Sequence, residues 1–280
     1  MSIEDLTIII NTFRSDEKIY SCLDSISQKF KILIIENSNN SEFKRIIENK
    51  YPNVSCILTG TNLGYAKGNN LGLSKVKSDY ALILNPDASL EKNTLDRLIV
   101  TAENYIDFSI IGPAKQNEYT KLDLYKNEDD VFQVSSLKGF AMFLNMKNFK
   151  EIGFFDENFF MYLEDIDLCK RVRKKNKKIY INPDIKIHHK GASSHDEKIN
   201  YSVELSRNWH WMWSKFYYNK KHFGIVFSVI KIFPNLLSAL FKSLIFYFFN
   251  KRKSEIYLKR LSGILNSFLG KKSWYRPSLD

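Results

Sequence analysis

Three acidic side chains, Glu164, Asp165 and Asp167, crowd the stretch MYLEDIDLCKR. Aromatic residues and a methionine precede them in FFMYLED. A carboxylate against an apolar wall acquires a raised pKa and becomes a candidate general base. Acids at a helix start also complement its dipole, so spacing alone leaves base and cap open. A fourth acid, Asp87, closes the apolar run Leu82-Ile83-Leu84 by way of Asn85 and Pro86. A strand followed by an ordinary turn reads this way. So does a buried strand presenting a carboxylate at its carboxyl end, where open α/β sheets bind ligands. The third group is His188-His189-Lys190-Gly191. Histidine is a common metal ligand, and His188 with Asp87 would form a mixed nitrogen and oxygen site for Mg²⁺ or Mn²⁺. Spacing alone favours a structural histidine.

These residues need a scaffold that delivers them to one place. LTIII (6–10), KILIIEN (31–37), VSCIL (54–58) and YALILN (80–85) read as buried strands. Helix patterns at 16–28 and 43–50 and the glycine-rich loop GTNLGYAKGNNLGL separate them. Such alternation predicts an α/β fold, a largely parallel sheet with helices on both faces. The strand ends then supply Asn11-Thr12-Phe13, Glu36-Asn37-Ser38 and Asn85-Pro86-Asp87, three polar clusters converging on one crevice. Further on, residues 115–135 read as a surface loop, GFAMFLN (139–145) as a strand and 163–178 as a helix. KIYIN and IKIHH follow as short strands.

The chain has 280 residues, 44% apolar, enough to bury a sizeable core. Cys22, Cys56 and Cys169 form no CxxC pair, which argues against a zinc site or a disulfide framework. MSIEDLTIII has no basic region before a long apolar one, so a cytoplasmic location is expected. The net charge of +11 belongs to the tail: residues 215–280 carry thirteen Lys and Arg against two acids, and the rest is balanced. From Phe223 to Phe249 the tail is strongly apolar, with a break expected at Pro234 and a polar stripe at Lys231, Asn235, Ser238 and Lys242. A second amphipathic face runs through Tyr257, Leu261, Ile264, Leu265 and Phe268, edged by Lys253, Lys259 and Arg260. Apolar faces bordered by Lys and Arg suit helices lying on an anionic membrane surface. Packing on the main domain or a second subunit is the other reading. Nucleic-acid binding is not expected, because long apolar runs interleave the basic residues.

In order, NTF, IIENSNN, NLGYAKGNN, LILNPDA, GFAMFLN, GFFDENFFMYLEDIDLCKRV, IHHKGASS and FYYNKKHFG resemble family 2 glycosyltransferases of GT-A fold, over residues 6–224. The resemblance is strongest to the rhamnosyltransferase-type branch that builds bacterial surface polysaccharides. It implies a catalytic domain at 1–222, which leaves 223–280 as the basic, aromatic-rich tail whose own pattern reads as membrane-associating. It implies that Asp165 is the general base, with Glu164 and Asp167 in support. Asp87 would bind Mg²⁺ or Mn²⁺, Asn85 would contact ribose or phosphate, and His188 would be a second metal or diphosphate ligand. Asn11, Thr12, Asn62, Gly64, Lys67 and Asn69 would line the nucleotide pocket. Glu36 stands where the family commonly has an Asp that reads the base. The implied reaction is inverting transfer from a nucleotide sugar, dTDP-rhamnose or else a UDP- or GDP-sugar. The implied acceptor is lipid-linked or a saccharide, in O-antigen, capsule or lipopolysaccharide synthesis at the cytoplasmic face of the inner membrane. A homodimer is compatible with this. The aromatics of FFMY and WHWMWSKFYY either shape the acceptor side or form core.

Overall fold

The computed structural model describes residues 5–113, 131–189, 191, 196 and 199–277; the surface loop expected at 115–135 lies largely outside them. The chain divides into two compact units. The first comprises Met1–Leu63, Lys67–Phe155 and Asp165–Asp196; the second comprises Gly64–Ala66, Asp156–Glu164 and Glu197–Asp280.

The first unit is built on an eight-stranded mixed sheet. Strands β1 (Leu6–Thr12), β2 (Lys31–Glu36), β3 (Val54–Leu58) and β4 (Tyr80–Leu84) lie parallel in the order β3-β2-β1-β4. Their runs of Ile, Leu and Val are buried on both faces, as parallel strands covered by helices require. β8 (Ala141–Asn145) continues the sheet antiparallel to β4, and β6 (Phe108–Pro113) pairs antiparallel with β8. β9 (Lys178–Asn182) runs parallel to β6, and β7 (Phe132–Gln133) closes the edge. A separate two-stranded ribbon joins β5 (Ala88–Leu90) to β10 (Ile187–His189). Strand order reverses direction between β1 and β4, the topological switch point at which open sheets form a ligand crevice.

Helices α1 (Ile19–Asp24), α2 (Ser41–Lys50), α3 (Gly64–Leu73) and α4 (Thr94–Asn104) follow β1, β2, β3 and β5. The helix expected at 16–28 shrinks to α1, and the glycine-rich stretch read as a loop is the ten-residue helix α3. Its glycines serve close packing. A Cβ on Gly68 would lie 2.6 Å from the Asn11 amide group, and one on Gly72 would lie 2.6 Å from Ile9 Cγ2. Helix α5 (Met146–Ile152) follows β8, and α6 (Glu164–Lys174) leads to β9.

The second unit is dominated by α7 (Asn200–Phe223), α8 (Ile225–Phe249) and α9 (Lys251–Phe268). Pro234 does not end α8, contrary to expectation; the helix runs unbroken for 25 residues. A proline removes one N–H and crowds the preceding turn. Here buried Ser228 and Ile232 anchor the helix before it, and Ala239 and Ser243 anchor it after. The expected polar stripe turns partly inward: Lys215 Nζ of α7 donates to Asn235 Oδ1 at 2.8 Å, and Lys242 sits over the Tyr257 ring. Small residues bring α9 close at several points of its seam with α7 and α8. Ser254 Oγ donates to Ser243 O, and Ser267 Oγ of α9 donates to Trp213 O of α7. At Gly263 a Cβ would lie 2.3 Å from the Trp209 carbonyl oxygen. That neighbour is backbone and cannot swing aside. Gly263→Ala should therefore lower stability by about 1–3 kcal/mol, read as a drop in urea midpoint with unchanged slope.

Candidate active site

The parallel register sets three strand ends level. Thr12 pairs with Glu36, Glu36 with Leu58, and Ile10 with Leu84, so Asn11 and Asn85 leave the sheet side by side. Asn37 knits them together. Its Nδ2 donates to Asn11 Oδ1 and to Thr12 O, and its Oδ1 accepts from Leu63 N at 3.0 Å. The glutamate expected to read a nucleobase is fully enclosed. Glu36 accepts from Ser38 N at 2.7 Å and from Asn40 N at 2.8 Å, one amide on each carboxylate oxygen. It therefore shapes the turn that leads into α2. Of the residues expected around the nucleotide, Thr12 and Asn69 are buried, Asn62 is half-buried and Lys67 is exposed. Gly64 belongs to the second unit, at φ +78, where a Cβ would lie 2.5 Å from Phe160 O. Only glycine fits there.

A second cluster forms where β4 ends. Antiparallel pairing of β5 with β10 sets His189 opposite Ala88. His189 Nε2 lies 3.2 Å from Asp87 Oδ1 and 3.3 Å from Asn85 Nδ2. The Asp87 side chain is only 3% exposed. Phe140 stacks flat on the imidazole, centroids 4.6 Å apart at 7°. The pairing expected of His188 is thus made by its neighbour. Successive strand side chains point to opposite faces, and His188 turns outward, with its Nε2 3.0 Å from Glu91 Oε1.

The third cluster opens α6. Asp165 Oδ2 accepts from Gly139 N and Oδ1 from Ile166 N, both at 2.8 Å. Burial pushes its carboxyl above the ordinary carboxylate range, against the pull of these amides and of Lys138. Asp167 is fully buried and committed elsewhere: Arg171 Nε donates to it at 2.9 Å, and the same guanidinium bonds the carbonyls of Ile152, Gly153 and Phe154. That pair braces the turn after α5. Glu164 is buried at 6% exposure. Immediately before it, Tyr162 and Leu163 both take left-handed backbone, φ 70 and 67. For residues other than glycine this stores about 1–3 kcal/mol of strain each and is typical of functional segments.

One dipeptide ties two of these clusters together. Gly139 gives its N–H to Asp165, while Phe140 accepts the Asn85 N–H at 2.9 Å and stacks on His189. The half-buried Asp165 and the Asn85-Asp87-His189 group therefore flank a single backbone turn at the mouth of the crevice. Asp87 and His189 offer a carboxylate and an imidazole, donors that suit Mn²⁺ or Mg²⁺. Among the described residues no group of three or more His, Cys, Asp and Glu could enclose a metal. Gly139 and Phe140 are site residues that the sequence reading does not single out, while Asn37 and His189 appear in it only within their clusters, without a role of their own. The alternation of β10 would have exposed His189, had the three-residue β5 been visible.

Comparison with known proteins identifies the family and the fold. The chain is 28% identical over 197 residues to the hexosyltransferase Agl10 of low-salt glycan biosynthesis in Haloferax volcanii, covering 62% of this chain and 63% of that one. It thus spans less than two thirds of that relative's length. It is 24% identical over 207 residues to the N-acetylglucosaminyl-diphospho-decaprenol L-rhamnosyltransferase of Mycobacterium tuberculosis, covering 58% and 67%. Its fold is similar to that of the mannosyltransferase PcManGT of Pyrobaculum calidifontis, solved with GDP-Man and Mn²⁺. That match has a TM-score of 0.62 at 12% identity and covers 96% and 88% of the two chains. The fold is GT-A, a mixed sheet flanked by helices with further helices at the C-terminus. The model of "Glycosyl transferase family 2" matches residues 7–169, more than half the chain, and the chain belongs to that family.

Proposed function

We propose that this protein is an inverting, metal-dependent glycosyltransferase of glycan biosynthesis. Our reading of its donor is dTDP-rhamnose, with UDP- and GDP-sugars as alternatives, and of its acceptor a lipid-linked or free saccharide. The observation that carries the reaction type is the Gly139-Phe140 turn, which sets a raised-pKa carboxylate beside the Asn85-Asp87-His189 group. Asp165 takes the proton from the acceptor hydroxyl as the oxygen attacks the anomeric carbon. Attack opposite the departing nucleoside diphosphate inverts the configuration in one displacement, and no covalent intermediate is needed. Asp87 and His189 would hold the cation, which when bound supplies positive charge to the leaving diphosphate. Asn85 faces the same group and orients ribose or phosphate. Rhamnose as the donor sugar rests on the name of the mycobacterial relative. A divalent metal is supported by the Mn²⁺ bound in the structural neighbour.

The helical tail supports work at a membrane surface. Fourteen large apolar or aromatic residues of α8 are exposed, among them Phe241 at 59%, Phe248 at 79% and Phe249 at 82%. An outward face of this size marks an interaction surface. Its small residues face the protein instead, the reverse of a water-facing helix. Lys231 and Lys242 lie within α8, and Arg252, Lys253 and Lys259 follow it in the chain, a charge pattern that favours anionic lipid. The prediction is that Phe241→Ser, Ile245→Ser and Phe248→Ser together abolish flotation with anionic vesicles while the protein stays folded. Flotation unchanged by these substitutions would show that α8 meets something other than lipid.

The transferase reading is tested by thermal shift of the full chain with dTDP-, UDP- and GDP-sugars, each with and without Mn²⁺ or Mg²⁺. A ligand that binds only the folded state raises its apparent stability. A metal-dependent shift with one nucleotide is expected and names the donor class. No shift with any of them, in folded protein, rejects the reading in favour of an inactive membrane-surface scaffold.

A further inference from the structure

We propose that a cavity at the far edge of the sheet is a binding site for a small molecule carrying a phosphate. The cavity has a volume of about 330 Å³ and lies wholly within the first unit. Three chain segments meet there: the entry to β6 at Asp107, the exit of β8 at Asn145 and Lys147, and the entry to β9 at residues 176–178. The register of β4 with β8 sets Asn145 opposite Tyr80 and Ala141 opposite Leu84. Asn145 therefore stands beside the start of β4, whereas Asn85 and Asp87 follow its end. From Tyr80 to Asn85 the strand advances roughly 16 Å, so the cavity and the crevice occupy opposite edges of the sheet. The β6–β9 register slips by one residue beside the cavity, between Phe108 and Ile110, and such bulges recur next to active sites.

The charge of the lining is what calls for a ligand. Residues 170–178, KRVRKKNKK, hold seven Lys and Arg and no acid. Basic residues in the last turn of α6 complement its dipole, but Lys177 and Lys178 lie beyond the helix end at Lys174. Lys178 is answered by Asp107, Nζ to Oδ2 at 2.6 Å, and Asp107 also accepts from the Tyr180 hydroxyl at 3.0 Å. Among the described residues Asp107 is the only acid of the lining, and it is committed. Lys147 and Lys177 have no ion-pair partner among the described residues. Lys147 stands in the first turn of α5, the end of a helix where a cation is disfavoured. Asn145 precedes that helix, yet its side chain does not cap it. The Asn176 side chain likewise makes no hydrogen bond among the described residues. Two ammonium groups and two amides thus line one cavity with their hydrogen-bonding capacity unused.

Two uncommitted ammonium groups match a dianion. A phosphomonoester carries about −1.5 to −2 charge at neutral pH and presents three acceptor oxygens, which the amides of Asn145 and Asn176 can share with the lysines. A monocarboxylate would leave one lysine unmatched. Ile106, 83% exposed, borders the same cavity and offers apolar surface to the ligand's carbon frame. A few placed polar groups in a concave site of this volume are the general form of a small-ligand pocket.

The test is calorimetric titration of the full chain with glycerol 3-phosphate at constant ionic strength, with EDTA present to keep metal-assisted binding out of the crevice. Wild type should bind saturably. Lys147→Met with Lys177→Met should bind at least about tenfold more weakly, since each removes a charged hydrogen-bond donor. Lys147→Arg with Lys177→Arg, which keeps both charges, should retain most of the affinity. Arg173→Met with Lys174→Met removes the same charge from the end of α6, outside the lining, and should bind as wild type does. With Mn²⁺ in place of EDTA, glycerol 3-phosphate should not compete with a bound nucleotide. Absence of saturable binding by wild type, an equal loss in both methionine pairs, or competition with nucleotide would overturn the site. Succinate bound as tightly as glycerol 3-phosphate would overturn the assignment to phosphate.

Discussion

Asp165→Asn should lower kcat by about a thousandfold, within the range that positioned acid–base groups contribute, and should leave donor affinity intact. The amide keeps the shape of the carboxylate, so the Gly139 turn should persist, but it cannot take a proton. Asp167 cannot substitute, because it is buried against Arg171. The pH profile follows from the same geometry. Burial raises the Asp165 carboxyl, and a base works only when deprotonated. Activity should therefore fall, as pH drops, through a value above the ordinary carboxylate range, and Asp165→Asn should flatten that acid limb. Near-wild-type transfer by Asp165→Asn would move the base to Glu164.

The second large effect separates two adjacent histidines. His189→Ala should raise the Mn²⁺ concentration for half-maximal activity, and Asp87→Ala should remove the metal dependence of donor binding. Loss of groups that merely orient metal ligands costs about 10–100-fold in affinity, so loss of a ligand should cost no less. His188→Ala should change little, because its imidazole lies beside Glu91 with half of its side-chain surface exposed. Titrating Mn²⁺ against nucleotide binding in the three variants reads all of this. If His188→Ala proved the damaging change, the side-chain alternation of β10 would not describe the working site.

The residues legible directly in the sequence share one property: local pattern decides them. β1 to β4 are continuous apolar runs bounded by polar turns, so their positions and parallel pairing follow from that pattern alone. The same holds for the delivery of Thr12, Asn85 and Asp87 to strand ends. What local pattern misses depends on long-range packing. Gly68 and Gly72 look like loop residues until β1 is seen against them. Pro234 looks like a helix breaker until buried neighbours hold the helix on both sides. The choice between His188 and His189 turns on a three-residue strand far away in sequence. That Asp167 pairs with Arg171 one turn on is not visible in the sequence, where it reads only as support for Asp165.

A single displacement with Asp165 as the base is tested most directly by the anomeric configuration of the product. Proton NMR of the glycoside formed from a donor of known configuration, recorded before the product equilibrates, gives the answer. Inversion is expected, with product formation lost in Asp165→Asn. Retention of configuration would contradict the single displacement, since that outcome requires either two displacements or attack from the face of the leaving group.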